Sequence, residues 1–375
     1  NTLTVFTTLA FLFLSPYRFF GLVHVFLIYA LVFFGIVPML EVRGLATYWG
    51  TSPTVFEYYG ITAVLCYFGV VSFWISYVFG FQRAPNIKRK HLRTKPNAAI
   101  LILASGSVAF LIYLINNFSL VSVFYRGNVF GNRIALDQTT WLLFQYFVYP
   151  VPSLALIVYL YWSDRRAHII IVLALLVFVA NPPTGMARFQ AASLYIGILL
   201  AALPALSQKR TLMFTLFFVG LFVLLPLLDL FRRLYVGAFA LTFESITKGT
   251  FDGFQLLATT ISEGIVTFGY QLLGALFFFV PRAIWPTKPV SSGHYIASEM
   301  DLDWLNLSYS LLAEGYINFG IIGIFGFMIF TGYFCGRYDR YFLASPRLRT
   351  TASIYYLVFL GLFFFVMRGA LQSGV

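Results

Sequence analysis

Charge is what this chain lacks most. Of its 375 residues only 10% are charged, against roughly 25% in a soluble domain, so most of its surface has to face something other than water. It has two cysteines, Cys66 and Cys335. Both sit inside apolar runs, near opposite membrane faces in the topology below, so no disulfide is expected between them. No phosphate-binding loop of the Walker type and no dinucleotide fingerprint occur. No His, Cys and carboxylate cluster has metal-ligand spacing, and the Asp301–Asp303 pair lacks a nearby third acid. We therefore expect no metal and no cofactor. Segments of alternating polarity are also missing, which argues against a transmembrane β-barrel.

Apolar residues supply the rest: 60% of the chain is hydrophobic, with a mean hydropathy of +0.85. A hydrocarbon core about 30 Å thick needs about 20 apolar residues per helical crossing. Backbone groups in lipid must also be satisfied internally. The expected fold class is all-α, a polytopic transmembrane bundle forming a single membrane domain over 1–375. About ten crossings are expected, at 3–14, 20–40, 58–81, 98–116, 141–162, 168–180, 190–206, 211–231, 311–334 and 354–367. The chain begins and stops at apolar stretches, so we expect native ends beyond both.

Alternate connections then separate by charge. One set carries fifteen of the 25 basic residues and only two acids, Asp164 and Asp339, a net of +13; everything else sums to −1. Basic connections stay cytoplasmic during insertion, so the excess charge reads as topology and nucleic acid is not an expected partner. A crossing at 265–280 would reverse this balance for Arg337–Arg349. We therefore expect 254–261 to be an interfacial helix begun by an Asp252/Gln255 capping box, and 265–280 to be re-entrant or buried.

The external connection 232–310 is far longer than any other, and loops of that length are usually functional. At its centre three prolines flank Arg282 and Lys288, stiffening the backbone around them. Glu314 follows in the first turns of a membrane helix, where an ionisable group is costly and calls for a partner. Arg188, Arg232, Arg233, Arg282 and Arg368 are candidates, and a pairing that merely pins the fold is the alternative role. Converging arginines suit a phosphorylated ligand, whereas Arg43, Arg126 and Arg133 suit headgroup contact. His294 is a reserve base or a solvated loop histidine. External aromatics, Trp285 and Tyr295 among them, serve as sugar-stacking surfaces or interfacial anchors. Gly320, Gly323, Gly326 and Gly332-x-x-x-Gly336 are expected to let helices approach closely.

The block 277–289 (FFFVPRAIWPTKP), with 313–319 (AEGYINF) and 320–323 (GIIG), resembles the Wzy-type O-antigen polymerases and the related enterobacterial common antigen polymerase. Arg188 after a proline-rich turn, 230–233 (LFRR) and 367–369 (MRG) add to the likeness. The resemblance implies a metal-independent, GT-C-like glycosyltransferase of the bacterial inner membrane. Its donor and acceptor would be undecaprenyl-pyrophosphate-linked oligosaccharides, and its site would face the periplasm. Membrane lipid and a chain-length regulator are the implied partners. On this reading Arg282, Glu314 and His294 are catalytic, with Glu314 as base or orienting group. Lys288, Arg188, Arg232, Arg233, Arg368, Trp285, Tyr295 and Asn318 contact pyrophosphate or glycan. The alternatives are an O-antigen ligase and a transporter or flippase of lipid-linked oligosaccharide.

Overall fold

The computed structural model describes residues 1–14, 20–46, 53–84, 96–124, 136–162, 165–224, 227, 251–302, 304–305, 307–343 and 351–372. Helices α1 (Thr2–Leu14), α2 (Leu22–Val42), α3 (Pro53–Glu57) and α4 (Tyr59–Gln82) come first. They are followed by α5 (Ala98–Ile115), α6 (Leu120–Phe124), α7 (Thr139–Trp162), α8 (Ala167–Ala180), α9 (Arg188–Ala202) and α10 (Arg210–Leu224). The series ends with α11 (Gly253–Ser262), α12 (Tyr270–Leu276), α13 (Ser292–Glu299), α14 (Leu311–Leu343) and α15 (Thr351–Arg368). No strand occurs among the described residues. Five helices, α2, α4, α5, α7 and Leu311–Phe342 of α14, are long and apolar enough to cross a membrane. Five shorter apolar helices coincide with the remaining expected crossings.

Three of these helices carry a π-helical turn: Leu31–Ile36, Phe144–Val148 and Gly220–Leu224. Each is followed within a few residues by proline, at Pro38, at Pro150 and Pro152, and at Pro226. Proline offers no N–H to the carbonyl four residues earlier and its ring crowds that carbonyl. At Pro38, Pro150 and Pro152 a wider turn just upstream relieves the conflict without ending the helix.

The chain folds as two compact units. The first takes Asn1–Asn86, Phe243–Ala344 and Phe363–Val375. Its spine is α4 against α14, which approach through glycine. A Cβ on Gly332 would lie 2.3 Å from the Phe73 carbonyl, one on Gly336 2.1 Å from that of Tyr77, and one on Gly80 2.2 Å from that of Tyr333. This is the close approach that the Gly332-x-x-x-Gly336 spacing predicts. At one end of α14 the buried Asp339 accepts the amides of Leu22 (3.0 Å) and Val23 (3.2 Å) and the Tyr77 hydroxyl (3.0 Å). The free N-terminal N–H groups of α2 are thus capped from another helix.

α14 is not one rod. Phe319 and Gly320 leave helical geometry, with Gly320 at φ +62°. Residues 311–318 and 321–343 meet so closely that a Cβ on Gly323 would fall 1.9 Å from the Gly315 carbonyl. Only glycine fits such a contact. Gly326, by contrast, has open space around it.

The expected interfacial helix is corrected by the structure. Every residue of α11 from Gly253 to Ile261 is buried, leaving no face for headgroups. The polar positions that looked solvent-facing turn into the protein: Thr260 donates to the Leu256 carbonyl (2.7 Å) and pairs with the Tyr309 hydroxyl (2.6 Å). The capping box is also absent. Asp252 makes no side-chain cap and instead accepts a hydrogen bond from Ser308. Segment 265–280 holds only the seven-residue α12; Phe268, Leu273, Leu276, Phe277 and Phe279 are exposed while Ile265, Val266, Leu272, Phe278 and Val280 are half-buried, so the segment is not fully buried.

The second unit takes Ile87–Thr242 and Ser345–Leu362. Its core joins α5, α7 and α8 through Ile112, Phe144 and Ala180. Asn97 and Asp137 cap the starts of α5 and α7. Arg165 donates to the carbonyls of Leu160, Ala201 and Ala202, a cation where helix dipoles end negative.

Candidate functional site

The break in α14 organises the first unit's polar centre. Breaking the helix frees backbone carbonyls, and the following amides cannot reach them. The Ile317 carbonyl accepts from the Thr267 amide (2.6 Å) and hydroxyl (2.9 Å), and the Asn318 carbonyl from the Gly269 amide (2.9 Å). The Asn318 side chain continues the seam: its Oδ1 accepts from the Leu272 amide (2.7 Å) and its Nδ2 donates to the Glu314 carbonyl (2.9 Å). Segment 265–276 is therefore stapled to the break, satisfying backbone that lipid could not.

Glu314 lies one turn before the break and is 1% exposed. Its Oε1 accepts the Leu371 amide (2.9 Å), and its Oε2 accepts the Ser292 hydroxyl (2.9 Å) and, more distantly, Asn318 Nδ2 (3.5 Å). Among the described residues these donors are all neutral. A carboxylate can be held in place by several N–H and O–H groups without a counter-ion, and here they tie three separate stretches together. Ser292 opens α13, whose N-cap Ser291 accepts the His294 amide (3.4 Å). A Cβ on Gly293 would lie 2.2 Å from the Leu307 carbonyl, so α13 rests directly on the backbone just before α14. His294 and Tyr295 are half-buried on this helix. The Tyr295 hydroxyl pairs with Glu299, and burial followed by that carboxylate raises its pKa above the usual phenol value.

The proline-rich loop 281–289 folds over α12. The Tyr270 hydroxyl donates to the Thr287 carbonyl, its ring meets Trp285 edge-on at 6.2 Å, and Gln372 donates to the Pro289 carbonyl (3.4 Å). Lys288 points inward, 3% exposed, and donates to the carbonyls of Phe278 (3.1 Å) and Val280 (2.7 Å). It closes the loop. Burial, then the neighbouring Arg282, hold its ammonium below the usual lysine pKa. Arg282 is half-exposed and spends one N–H on the Lys288 carbonyl (2.7 Å). Five donors belong to a guanidinium, so Arg282 keeps most of its fork for a ligand. Neither cation has a carboxylate partner among the described residues.

Of the residues singled out from sequence, the first unit thus brings together Glu314 and Asn318, and Arg282, Lys288 and Trp285. Arg368, at the end of α15, lies three residues before Leu371. It acts electrostatically on the buried Tyr29 hydroxyl, as does Asp252. Arg232, Arg233 and the Arg188 side chain lie outside the described residues. The sequence reading missed Ser292, the Leu371 amide, and a buried acid pair, Glu41 and Asp252, which are 5% and 1% exposed and close enough to act on each other. Ser292 could have been found as the serine beside a helix cap in Ser291-Ser292-Gly293; the others carry no local signal. Among the described residues no three His, Cys, Asp or Glu side chains are placed to hold a metal ion. Comparison of the chain with protein-family models, curated proteins and solved structures finds no match.

Proposed function

We propose that the chain is a glycosyltransferase of the bacterial inner membrane that polymerises oligosaccharide units carried on undecaprenyl pyrophosphate, in the manner of the Wzy-type polymerases it resembles. The five long and five shorter apolar helices then make ten crossings. Loop 281–289, Glu314 and Arg368 all come to the periplasmic side. The observation that supports the reading best is Arg282. It is a guanidinium with unspent donors, on a loop made rigid by prolines and by Lys288, and no acid among the described residues neutralises it.

In the reaction the acceptor hydroxyl oxygen bonds to the anomeric carbon of the donor glycan as the bond from that carbon to the pyrophosphate oxygen breaks. Negative charge grows on the pyrophosphate, and preorganised donors from Arg282 stabilise it. The hydroxyl proton passes to a base. Both Glu314 oxygens already accept hydrogen bonds inside the fold, which favours its orienting role. Through Ser292 it fixes α13 and with it His294, the more accessible base. Asn318 and Lys288, as placed, hold the site's framework rather than substrate.

A helix broken in this way is also a feature of transporters, whose discontinuous helices offer freed carbonyls to ions. They are already bonded to Thr267 and Gly269, which weighs against that use. Purified protein supplied with a carrier-linked repeat unit is expected to yield a ladder of products spaced by one repeat-unit mass, with or without a chelator. One addition to a lipid A core acceptor would point to ligation. Translocation across a liposome without new bonds would point to transport. Inhibition by chelator, reversed by a divalent ion, would overturn the metal-free mechanism.

A further inference from the structure

Segment 266–285 is an unusual surface. Stapled to the α14 break by three amide-donated bonds, it is fixed in place, yet its seven-residue helix would span only about 10 Å and cannot cross a bilayer. Its inner side is Gln271 and Gly274, both buried. Its outer side is apolar, with Phe268 86%, Leu276 60% and Ile284 76% exposed, and Leu273 and Phe277 joining them. Apolar displays of this kind mark interaction sites.

What covers the strip follows from its two ends. At the break, the Phe319 ring packs on Gly269, 3.1 Å from where a Cβ would stand, and Ile321 and Ile322 continue the apolar exposure onto the membrane-length part of α14. The strip therefore prolongs a surface that faces hydrocarbon. At the other end stands Arg282, half-exposed, with one N–H spent on the Lys288 carbonyl and no carboxylate partner among the described residues. Bulk lipid tails would cover the strip but leave that charge unanswered. An amphiphile with a phosphate head and a long hydrocarbon tail satisfies both at once.

We infer that the outer side of 266–285 seats the hydrocarbon tail of the lipid-linked donor while its phosphate lies at Arg282, a site whose ligand identity rests on the transfer reading above. The strip then sets the direction from which the donor enters, tail along α12 and head toward the proline-rich loop.

The test is binding of a series of polyisoprenyl monophosphates of increasing length to the full chain in detergent. Wild type is compared with Leu276→Gln, Ile284→Gln and Arg282→Ala. Both strip residues are exposed, so these variants should fold, and their melting temperatures check it. Wild-type affinity is expected to rise about tenfold or more from the shortest to the longest tail, as apolar burial grows. The strip variants should flatten that rise to within about threefold, and Arg282→Ala should weaken every length alike. An unchanged length dependence in the strip variants would overturn the site. So would equal competition by phosphatidylglycerol, which would mark ordinary bilayer contact. Steep length dependence in a protein that forms no glycan bond would uphold the lipid site and remove the reaction. Glycan transfer with strip variants behaving as wild type would do the opposite.

Discussion

Replacing Arg282 with alanine is expected to lower the rate of glycan transfer by roughly 10²–10³-fold, the usual cost of removing one preorganised donor from a developing anion. The fold should survive, because Arg282 makes one hydrogen bond to the Lys288 carbonyl (2.7 Å) and its side chain is half-exposed. Arg282→Lys retains charge without the planar fork and is expected to fall between the two, since lysine cannot offer parallel N–H groups to one phosphate. Initial rates with purified protein, read alongside melting temperature, separate the outcomes. A rate loss matched by a large drop in melting temperature would make Arg282 a structural residue. Lys288→Met should show that structural pattern: two carbonyls, of Phe278 and Val280, lose their donor and the loop loosens.

Glu314 carries the second large effect, and here the conservative and the deletion variants divide. Glu314→Ala leaves the Leu371 amide and the Ser292 hydroxyl short of an acceptor in a site 1% exposed, while Asn318 keeps its bond to the residue-314 carbonyl. Unsatisfied buried donors cost about 1–3 kcal/mol each, so the two together are expected to cost about 2–6 kcal/mol, enough to deplete folded protein. Glu314→Gln keeps one carbonyl oxygen and nearly the same shape. It should fold and retain transfer within about tenfold, whereas His294→Ala should lose the 10²–10⁴-fold typical of a general base. The opposite ranking, with Glu314→Gln inactive and His294→Ala near wild type, would transfer the base role to Glu314.

The apolar runs alone placed the helices, because lipid-length stretches need no tertiary context. The glycine contacts of Gly332 and Gly336 were likewise readable, since four-residue spacing puts small residues on one helix face. Two features were not read although they were written there. Pro38 and Pro150 announce two of the π-helical turns, and Phe319-Gly320 marks a break inside what looks like one long apolar helix. α11 misled for a physical reason: a face of Gln255, Thr259 and Thr260 suits water or a polar protein interior equally well, and only the partner segment 308–310 decides. Glu314's true partners were illegible because a serine 22 positions earlier and an amide 57 positions later leave no periodic trace. A search for a cation beside a buried acid passes over such contacts, since neutral N–H and O–H groups can hold a carboxylate as well.

The site's central claim is that Arg282 grips the pyrophosphate of a membrane-borne donor at the far end of the strip that begins at the α14 break. Its most direct test is a density map of the protein with undecaprenyl pyrophosphate bound in a nanodisc. Phosphate oxygens within hydrogen-bonding distance of the Arg282 guanidinium, with the tail leaving along α12, are the predicted result. A headgroup lodged elsewhere, with Arg282 turned to bulk water, would contradict it.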